Sequence, residues 1–482
     1  MYWSLVFSAI YATYAIGVTI FLIMDRRSPN STIAWLLFLL TFPVVGLAIY
    51  VLTGRSWKAF SRENYYVRKD IGRDVIAQMM RVIPPPREPI AMLREREIPI
   101  YNRLLQLGLR NSYAIVTTNN HVEILQDAEA MYPLLLEDLK RAQHSIHLEF
   151  FSWGTDEVMD AFDAVLEEKA RAGVEVRLLF DAVGSFFMFK RARRKRLRAA
   201  GVEVTTFSPV LRVHTISYRN HRKITVIDGV TGYVGGMNMG KEHVEGMGKY
   251  TAWRDTHLRL EGEAVRVLQA QFVSHWYHAS KLSIVDECYF PEISHKYGDT
   301  PVQVVASGPD SRYEAIRQMY FFMITTATRH VYIQSPFFIL DPGMIDALQA
   351  AALSGVDVRI MLAPYSCGDN ALPYWAAYTY MLQMMRAGVR IYLYHGAYMH
   401  AKTVSTDGLV CSVGSANMDI RSFNLDYEIN AILYDSALAQ ELEATFHEDL
   451  KQCTPFDPGA YAKLPFAHRF RDAAARLLSP VL

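Results

Sequence analysis

Cysteine is nearly absent from this chain: 482 residues carry four, Cys288, Cys367, Cys411 and Cys453. No two form a C-x-x-C pair and none joins histidines at zinc spacing. Neither a disulfide framework nor a structural metal is expected, and free thiols fit a reducing compartment. Net charge is missing too. The 50 lysines and arginines nearly cancel the 49 aspartates and glutamates, leaving a formal +1. No overall field gathers a polyanion, so any basic partner surface has to be local.

What the chain does have is length and apolar residues. A prior of roughly 100–200 residues per domain predicts two or three domains. A composition of 51% hydrophobic and 21% charged residues fits a globular body with a membrane-embedded part. Residues 2–24 are uncharged and mostly apolar. About 20 such residues cross a bilayer core as helix, and Tyr2 and Trp3 suit its interface. A second apolar run covers residues 32–52 after the turn residues Pro29 and Asn30. Pro43 and Gly46 predict a kinked or re-entrant course for it. A cleaved signal peptide is disfavoured, because the first run is long, lacks a basic n-region and is followed by a second. The expectation is a transmembrane helical hairpin over residues 1–54.

Arg55, Lys58, Arg62, Arg68, Lys69 and Arg73 follow the second run, whereas the intervening loop offers only Arg26 and Arg27. The positive-inside rule then puts the body in the cytoplasm of a multi-pass protein. Residues 55–112 read as a connector, since the prolines of VIPPPREPI (82–90) deny it regular structure.

Beyond it, one series of elements occurs twice. SIHLEFFSW (145–153) reads as a strand, and Phe162, Val165 and Leu166 share one face of a following helix. RAGVEVRLLFD (171–181) and RAAGVEVTTF (198–207) read as helix end, glycine turn and buried strand. HVYIQSPFF (330–338), ALSGVDVRIMLA (352–363) and MRAGVRIYLY (385–394) repeat that order. The fold class is α/β: two tandem halves, residues 113–290 and 291–455, each with helices layered on a largely parallel sheet. Residues 456–482 form an amphipathic tail.

Each series ends on one phrase. HRKITVIDG begins at His221 and HAKTVSTDG at His400, and both read His-x-Lys-x-x-x-x-Asp-Gly. In register behind them stand Gly235, Gly236, Asn238 and Gly414, Ser415, Asn417. Most coinciding positions are polar or glycine, which core packing alone does not call for. Histidine and lysine two apart on a strand share a face. Imidazole beside ammonium suits an anion, above all phosphate. Gly236 admits close backbone approach, and Asn238, Asn417 and Ser415 supply donors. Two half-sites joined by a pseudo-two-fold make one pocket with two histidines. One attacks phosphorus and the other shuttles the proton, while Lys223 and Lys402 hold the charge, with no metal and no cofactor. Asp228 and Asp407 complete the phrase as catalytic candidates, but each ends a strand before a glycine, where a turn role is equally open.

These residues resemble the phospholipase D superfamily, with its doubled H-x-K-x-x-x-x-D, and within it bacterial cardiolipin synthases of the two-motif type. DAVGS (181–185), RNHRK (219–223), GGMN (235–238), WRD (253–255), GSANMD (414–419) and RSFNLDYEIN (421–430) extend the likeness over essentially the whole chain. The resemblance implies that His221 is the nucleophile and His400 the general acid/base. It also implies that Asp255 and Glu428 orient the histidines, in a crossed arrangement. One phosphatidylglycerol would phosphatidylate His221 and release glycerol, and a second would attack to give cardiolipin. The D-x-x-D-G motif of the metal-dependent, CDP-lipid synthases is missing. Two departures touch the acceptor side: Lys241-Glu242-His243 replaces an Asp-Glu-Tyr-like stretch, and Asp426 stands where asparagine is commoner.

SFFMFKRARRKRLR (185–198) sets bulky apolar residues before a basic cluster, which favours contact with anionic lipid over a merely solvated helix face. Nucleic acid is disfavoured as a partner, because aromatic interleaving is absent. PYWAAYTYMLQMM (373–385) suits helix core or an acyl-chain groove equally. The expected setting is a bacterial inner membrane, and a homo-oligomer is compatible with everything above. The alternatives are a phospholipase D-type phosphodiesterase, or a phosphatidyltransferase with another donor or acceptor.

Overall fold

The structure, a computed structural model, describes residues 2–25, 29–50, 99–185, 190–208, 217–365 and 370–480. Several expectations fall outside the described residues: the basic flank at 55–73, Arg26 and Arg27, the proline stretch at 82–90, the bulky residues 186–189, and Cys367. Among the described residues, Cys288, Cys411 and Cys453 are free thiols. The chain divides into two compact units, one N-terminal and one forming the body.

The N-terminal unit contains the helices Tyr2–Met24, Pro29–Thr41 and Pro43–Ile49. The Tyr11 hydroxyl donates to Leu40 O at 2.7 Å and that of Tyr14 to Leu39 O at 3.1 Å, while Leu22, Leu39 and Tyr50 bury together. Among the described residues only Trp3–Met24 is long and apolar enough to cross a membrane. The multi-pass expectation is thereby cut back to one candidate span, while the kinked course expected of the second run is what forms. The second run breaks at Phe42, before Pro43 starts a new helix, because proline has no amide to extend the old one.

In the body, a seven-stranded sheet runs edge to edge through Asn120–Gln126, Thr256–Gly262, Thr231–Gly235, Ile224–Ile227, Ser145–Phe150, Glu175–Asp181 and Glu203–Phe207. A nine-stranded sheet begins with Val116–Thr117. It continues through Val302–Ser307, Glu428–Leu433, Val410–Gly414, Thr403–Thr406, His330–Ser335, Asp357–Leu362 and Arg390–Tyr394, and closes with Cys453–Pro455. Its seven inner strands follow the chain order and the parallel or antiparallel sense of the first sheet. Only two pairings in each set are parallel, so the expected largely parallel sheet is mixed. The cause is local. Asp228 and Gly229, like Asp407 and Gly408, hold positive φ and turn the chain into an antiparallel hairpin instead of a crossover. The helix–glycine–strand units do form, with Gly173, Gly201, Gly355 and Gly388 all at positive φ.

Strand periodicity builds the core between the sheets. Val122, Ile124, Ile224, Val226, Leu258 and Leu260 of the first sheet bury with Val302, Val304, Cys411, Val413, Ile429 and Leu433 of the second. Alternate residues such as Leu125, Ile227, Val305 and Ile432 face outward, into helix-covered cores. On one such helix, Glu157–Arg171, Phe162, Val165 and Leu166 are buried on one face, and Asp156 caps its start by accepting from Met159 N at 3.0 Å. One boundary moves. Val116–Thr117, expected in the first half, pairs with Val302–Gln303 of the second sheet, and Leu104, Leu105 and Ala114 join that sheet's core. The aromatic stretch at 373–385 is core: Tyr374, Ala377, Tyr380 and Met384 of helix Leu372–Met385 are buried. The tail docks on that helix through Tyr380 to Ser479 Oγ, 2.9 Å, and Arg471 over Trp375, 4.4 Å.

Candidate active site

The spacing predicts His221 and His400 on strands, but they lie on segments just before the strands Ile224–Ile227 and Thr403–Thr406. Each segment is stitched to the opposite half. His221 N donates to Tyr427 O at 3.0 Å and Tyr427 N to Arg219 O at 2.8 Å. Tyr398 and Met399 pair in parallel with Trp253 and Arg254, and His400 N donates to Arg254 O at 2.8 Å. This main-chain stitching sets each histidine beside the acid of the other half. His221 Nδ1 lies 2.9 Å from Glu428 Oε1, and His400 Nδ1 lies 2.6 Å from Asp255 Oδ2. Both carboxylates are fully buried. Each fixes its imidazole with Nδ1–H toward the acid and Nε2 free.

Lys223 and Lys402 fold back so that each ammonium donates to the carbonyl of its own histidine, at His221 O and His400 O. Burial draws Lys223 down to about 7 and Lys402 to about 8. Burial, then the Lys223 charge, holds His221 well below the usual imidazole range; burial, then Lys402 and Lys223, does so for His400. Burial pushes Glu428 up to about 7. Desolvation dominates at each of these groups and opposes charge. The unliganded site therefore holds neutral imidazoles beside two buried lysines whose charged form burial disfavours. An anion with several acceptor oxygens complements it.

The remaining predicted residues divide. Gly236 leaves room for an acid: a Cβ there would stand 2.1 Å from Asp255 Oδ1. Ser415 Oγ donates to Glu428 Oε2, so this hydroxyl holds the acid instead of pointing at a ligand. Asn238 Oδ1 accepts from Ser152 N at 3.2 Å. Buried Asn417 keeps its Oδ1 without a hydrogen-bond partner among the described residues. Asp228 and Asp407 are not brought to the histidines. Asp228 accepts from the amides of Gln143, His144 and Ser145 at 2.7–2.9 Å, and Asp407 from those of Thr328, Arg329 and His330 over the same range. Six residues, four of them strand, lie between each aspartate and its histidine, roughly 20 Å of chain at the usual strand rise.

Three site residues escape a reading of the doubled phrase. Ser422 Oγ donates to Glu428 Oε1 at 2.8 Å. Trp253 and His243 flank His400, with ring centroids 5.2 and 6.1 Å away. The sequence signals were the WRD phrase, the departure at Lys241-Glu242-His243 and, for Ser422, the RSFNLDYEIN stretch. The other departure has a visible partner: Asp426 Oδ2 accepts from Arg421 Nε at 3.1 Å. In the basic helix Arg191–Ala199, Arg193 and Arg196 are tied to Asp163, and Arg196 also to Glu167 at 2.7 Å, while Lys190, Arg191 and Lys195 stay exposed. Among the described residues no group of three or more metal-ligating side chains occurs.

Residues 135–276 and 320–450 match the family model described as cardiolipin synthase, PLD-like domain, and residues 12–55 match the phospholipase D-nuclease N-terminal model. A cardiolipin synthase of Geobacillus kaustophilus is 39% identical over 99% of this chain and 94% of its own length. One from Listeria monocytogenes is 37% identical over 99% and 98%. The crystal structure of phosphatidylserine synthase from Haemophilus influenzae aligns over 79% of this chain and all of its own, with a TM-score of 0.60 at 13% identity, which speaks to the fold. By the family model and by these relatives, the chain belongs to the phospholipase D-like cardiolipin synthase family.

Proposed function

We propose that this protein is a membrane cardiolipin synthase, a phosphatidyltransferase that moves a phosphatidyl group from one phosphatidylglycerol to another. One observation carries the reading: His221 pairs with Glu428 and His400 with Asp255, each across the two halves, with Lys223 and Lys402 beside them. The identical strand order of the two sheets supports a pseudo-two-fold that makes one pocket from two half-sites.

In the first step, His221 Nε2 attacks the phosphorus of a bound phosphatidylglycerol. The bond to the glycerol oxygen breaks, and His400 Nε2–H protonates that oxygen as free glycerol leaves. His400 is neutral in the unliganded site, so it takes up this proton as the anionic lipid binds and offsets the lysine charges. In the second step a glycerol hydroxyl of another phosphatidylglycerol gives its proton to His400. Its oxygen attacks phosphorus, the P–N bond breaks, and His221 leaves neutral. Lys223, Lys402 and the Asn417 amide stabilise the equatorial oxygens. Asp255 and Glu428 hold the tautomers and stabilise the imidazolium forms. Asp228 and Asp407 act at a distance, as clamps on strand ends.

The helix Trp3–Met24 anchors the protein in the bacterial inner membrane, and exposed Lys190, Arg191 and Lys195 meet anionic headgroups. The free thiols support a cytoplasmic body. Purified protein in phosphatidylglycerol vesicles with chelator tests the reading: cardiolipin and glycerol should appear in equal amounts. Phosphatidic acid in place of cardiolipin would make the protein a hydrolase, and no lipid product would reject the donor.

A further inference from the structure

Two polar atoms beside His400 are buried and lack any hydrogen-bond partner among the described residues: His243 Nδ1 and Trp253 Nε1. His243 is 3% exposed and Trp253 9%. Their ring centroids are 4.7 Å apart, and both rings pack on His400. Buried polar atoms are nearly always paired, and an unpaired one costs free energy, so two neighbouring orphans beside His400 point to a ligand that satisfies both.

Their chemistries are opposite. An indole N–H only donates, and a neutral imidazole can accept at Nδ1. A hydroxyl meets both demands at once. The two sides of the pocket also differ. His221 packs against apolar Phe151, 5.3 Å between centroids. Counting in register from each catalytic histidine, the counterpart of His243 is Ser422, which is spent on Glu428 at 2.8 Å. No such bond ties His243 to Asp255.

We propose that His243 and Trp253 form the seat of the acceptor alcohol, specific for a vicinal diol. One hydroxyl of the glycerol headgroup accepts from Trp253 Nε1 and donates to His243 Nδ1, which brings the neighbouring hydroxyl to His400. The inference rests on the transferase reading above. Water has a single oxygen and cannot fill this seat while also offering a proton to His400, so the seat favours transfer over hydrolysis.

The test offers full-length enzyme in phosphatidylglycerol vesicles equal concentrations of 1,2-propanediol and 1-propanol, and separates the phosphatidyl-alcohols, cardiolipin and phosphatidic acid. Wild type should favour the diol. His243→Phe and Trp253→Phe should each cut that preference and the cardiolipin-to-phosphatidic acid ratio by roughly 5-fold or more, as expected when a buried group made for a substrate hydroxyl is removed. His243→Gln, which keeps an acceptor, should recover part of both. A purely structural role would lower all products together and leave both ratios unchanged, which overturns the proposal. Should His243→Phe fail to fold, Trp253→Phe still decides, since it keeps an aromatic ring and removes the N–H, and the lost indole bulk would lower all products together without moving the ratios. A wild type that makes no phosphatidyl-alcohol and no cardiolipin overturns the transferase reading itself, and the seat with it.

Discussion

At the scale of single residues, the site works by keeping charge scarce. Lys223 at about 7 and Lys402 at about 8 are ammonium only below those values. Raising the pH through that window in the free enzyme strips the cations that attract a phosphodiester. The specificity constant kcat/KM should therefore fall above about pH 8, well before an ordinary lysine titrates near ~10.4. A profile still rising at about pH 9 would contradict it. The paired acids make a second prediction. Asp255→Asn and Glu428→Gln leave the shape but lose the charge and the fixed tautomer, so kcat should drop by about 10²–10⁴, measured as cardiolipin formed per enzyme. The histidines, lysines and asparagines were legible because they recur in register. The roles of His243, Trp253 and Ser422 were not, because burial, an unpaired atom at the first two and a hydrogen bond to Glu428 at the third leave no periodic trace in sequence.

At the scale of elements, the doubled aspartates belong to the hairpins. Each carboxylate gathers three amides at the start of a neighbouring strand, at a residue with positive φ. Asp228→Ala should strand those amides and destabilise the body by about 1–3 kcal/mol, read as a lower Tm, with the folded fraction keeping its turnover within a few-fold. Loss of turnover without loss of Tm would return Asp228 to the chemistry. Gly236→Ala has the reverse signature. Its Cβ would push on Asp255, so turnover should fall at least about 10-fold through His400, by the usual sensitivity to a small misplacement. The strands and helices with clear period were readable in advance. The two-residue strand Val116–Thr117 was not, because two residues carry no period and its partner lies far along the chain. The helix Leu372–Met385 was ambiguous for a related reason: apolar spacing does not say whether protein or lipid covers the face.

At the scale of the whole molecule, duplication has a mechanical purpose. Two sheets of one topology share a core, and their loops cross, so neither half holds a histidine together with its own acid. The α/β class and the repeat were legible. The antiparallel side of each sheet was not: the Asp-Gly turns stood in the sequence, but the pairing of the remaining antiparallel strands joins residues far apart in the chain. The break in the second apolar run was legible too, since Pro43, which starts a new helix in the structure, is the residue that predicts it. The most direct test of the crossed, two-histidine account is to trap the covalent intermediate. Enzyme is mixed with phosphatidylglycerol labelled in its phosphate, quenched in alkali and mapped by mass spectrometry. The account predicts label on His221 in the wild type, accumulated label on His221 in His400→Ala, and none in His221→Ala. Label on His400, or full turnover by either variant, would contradict it.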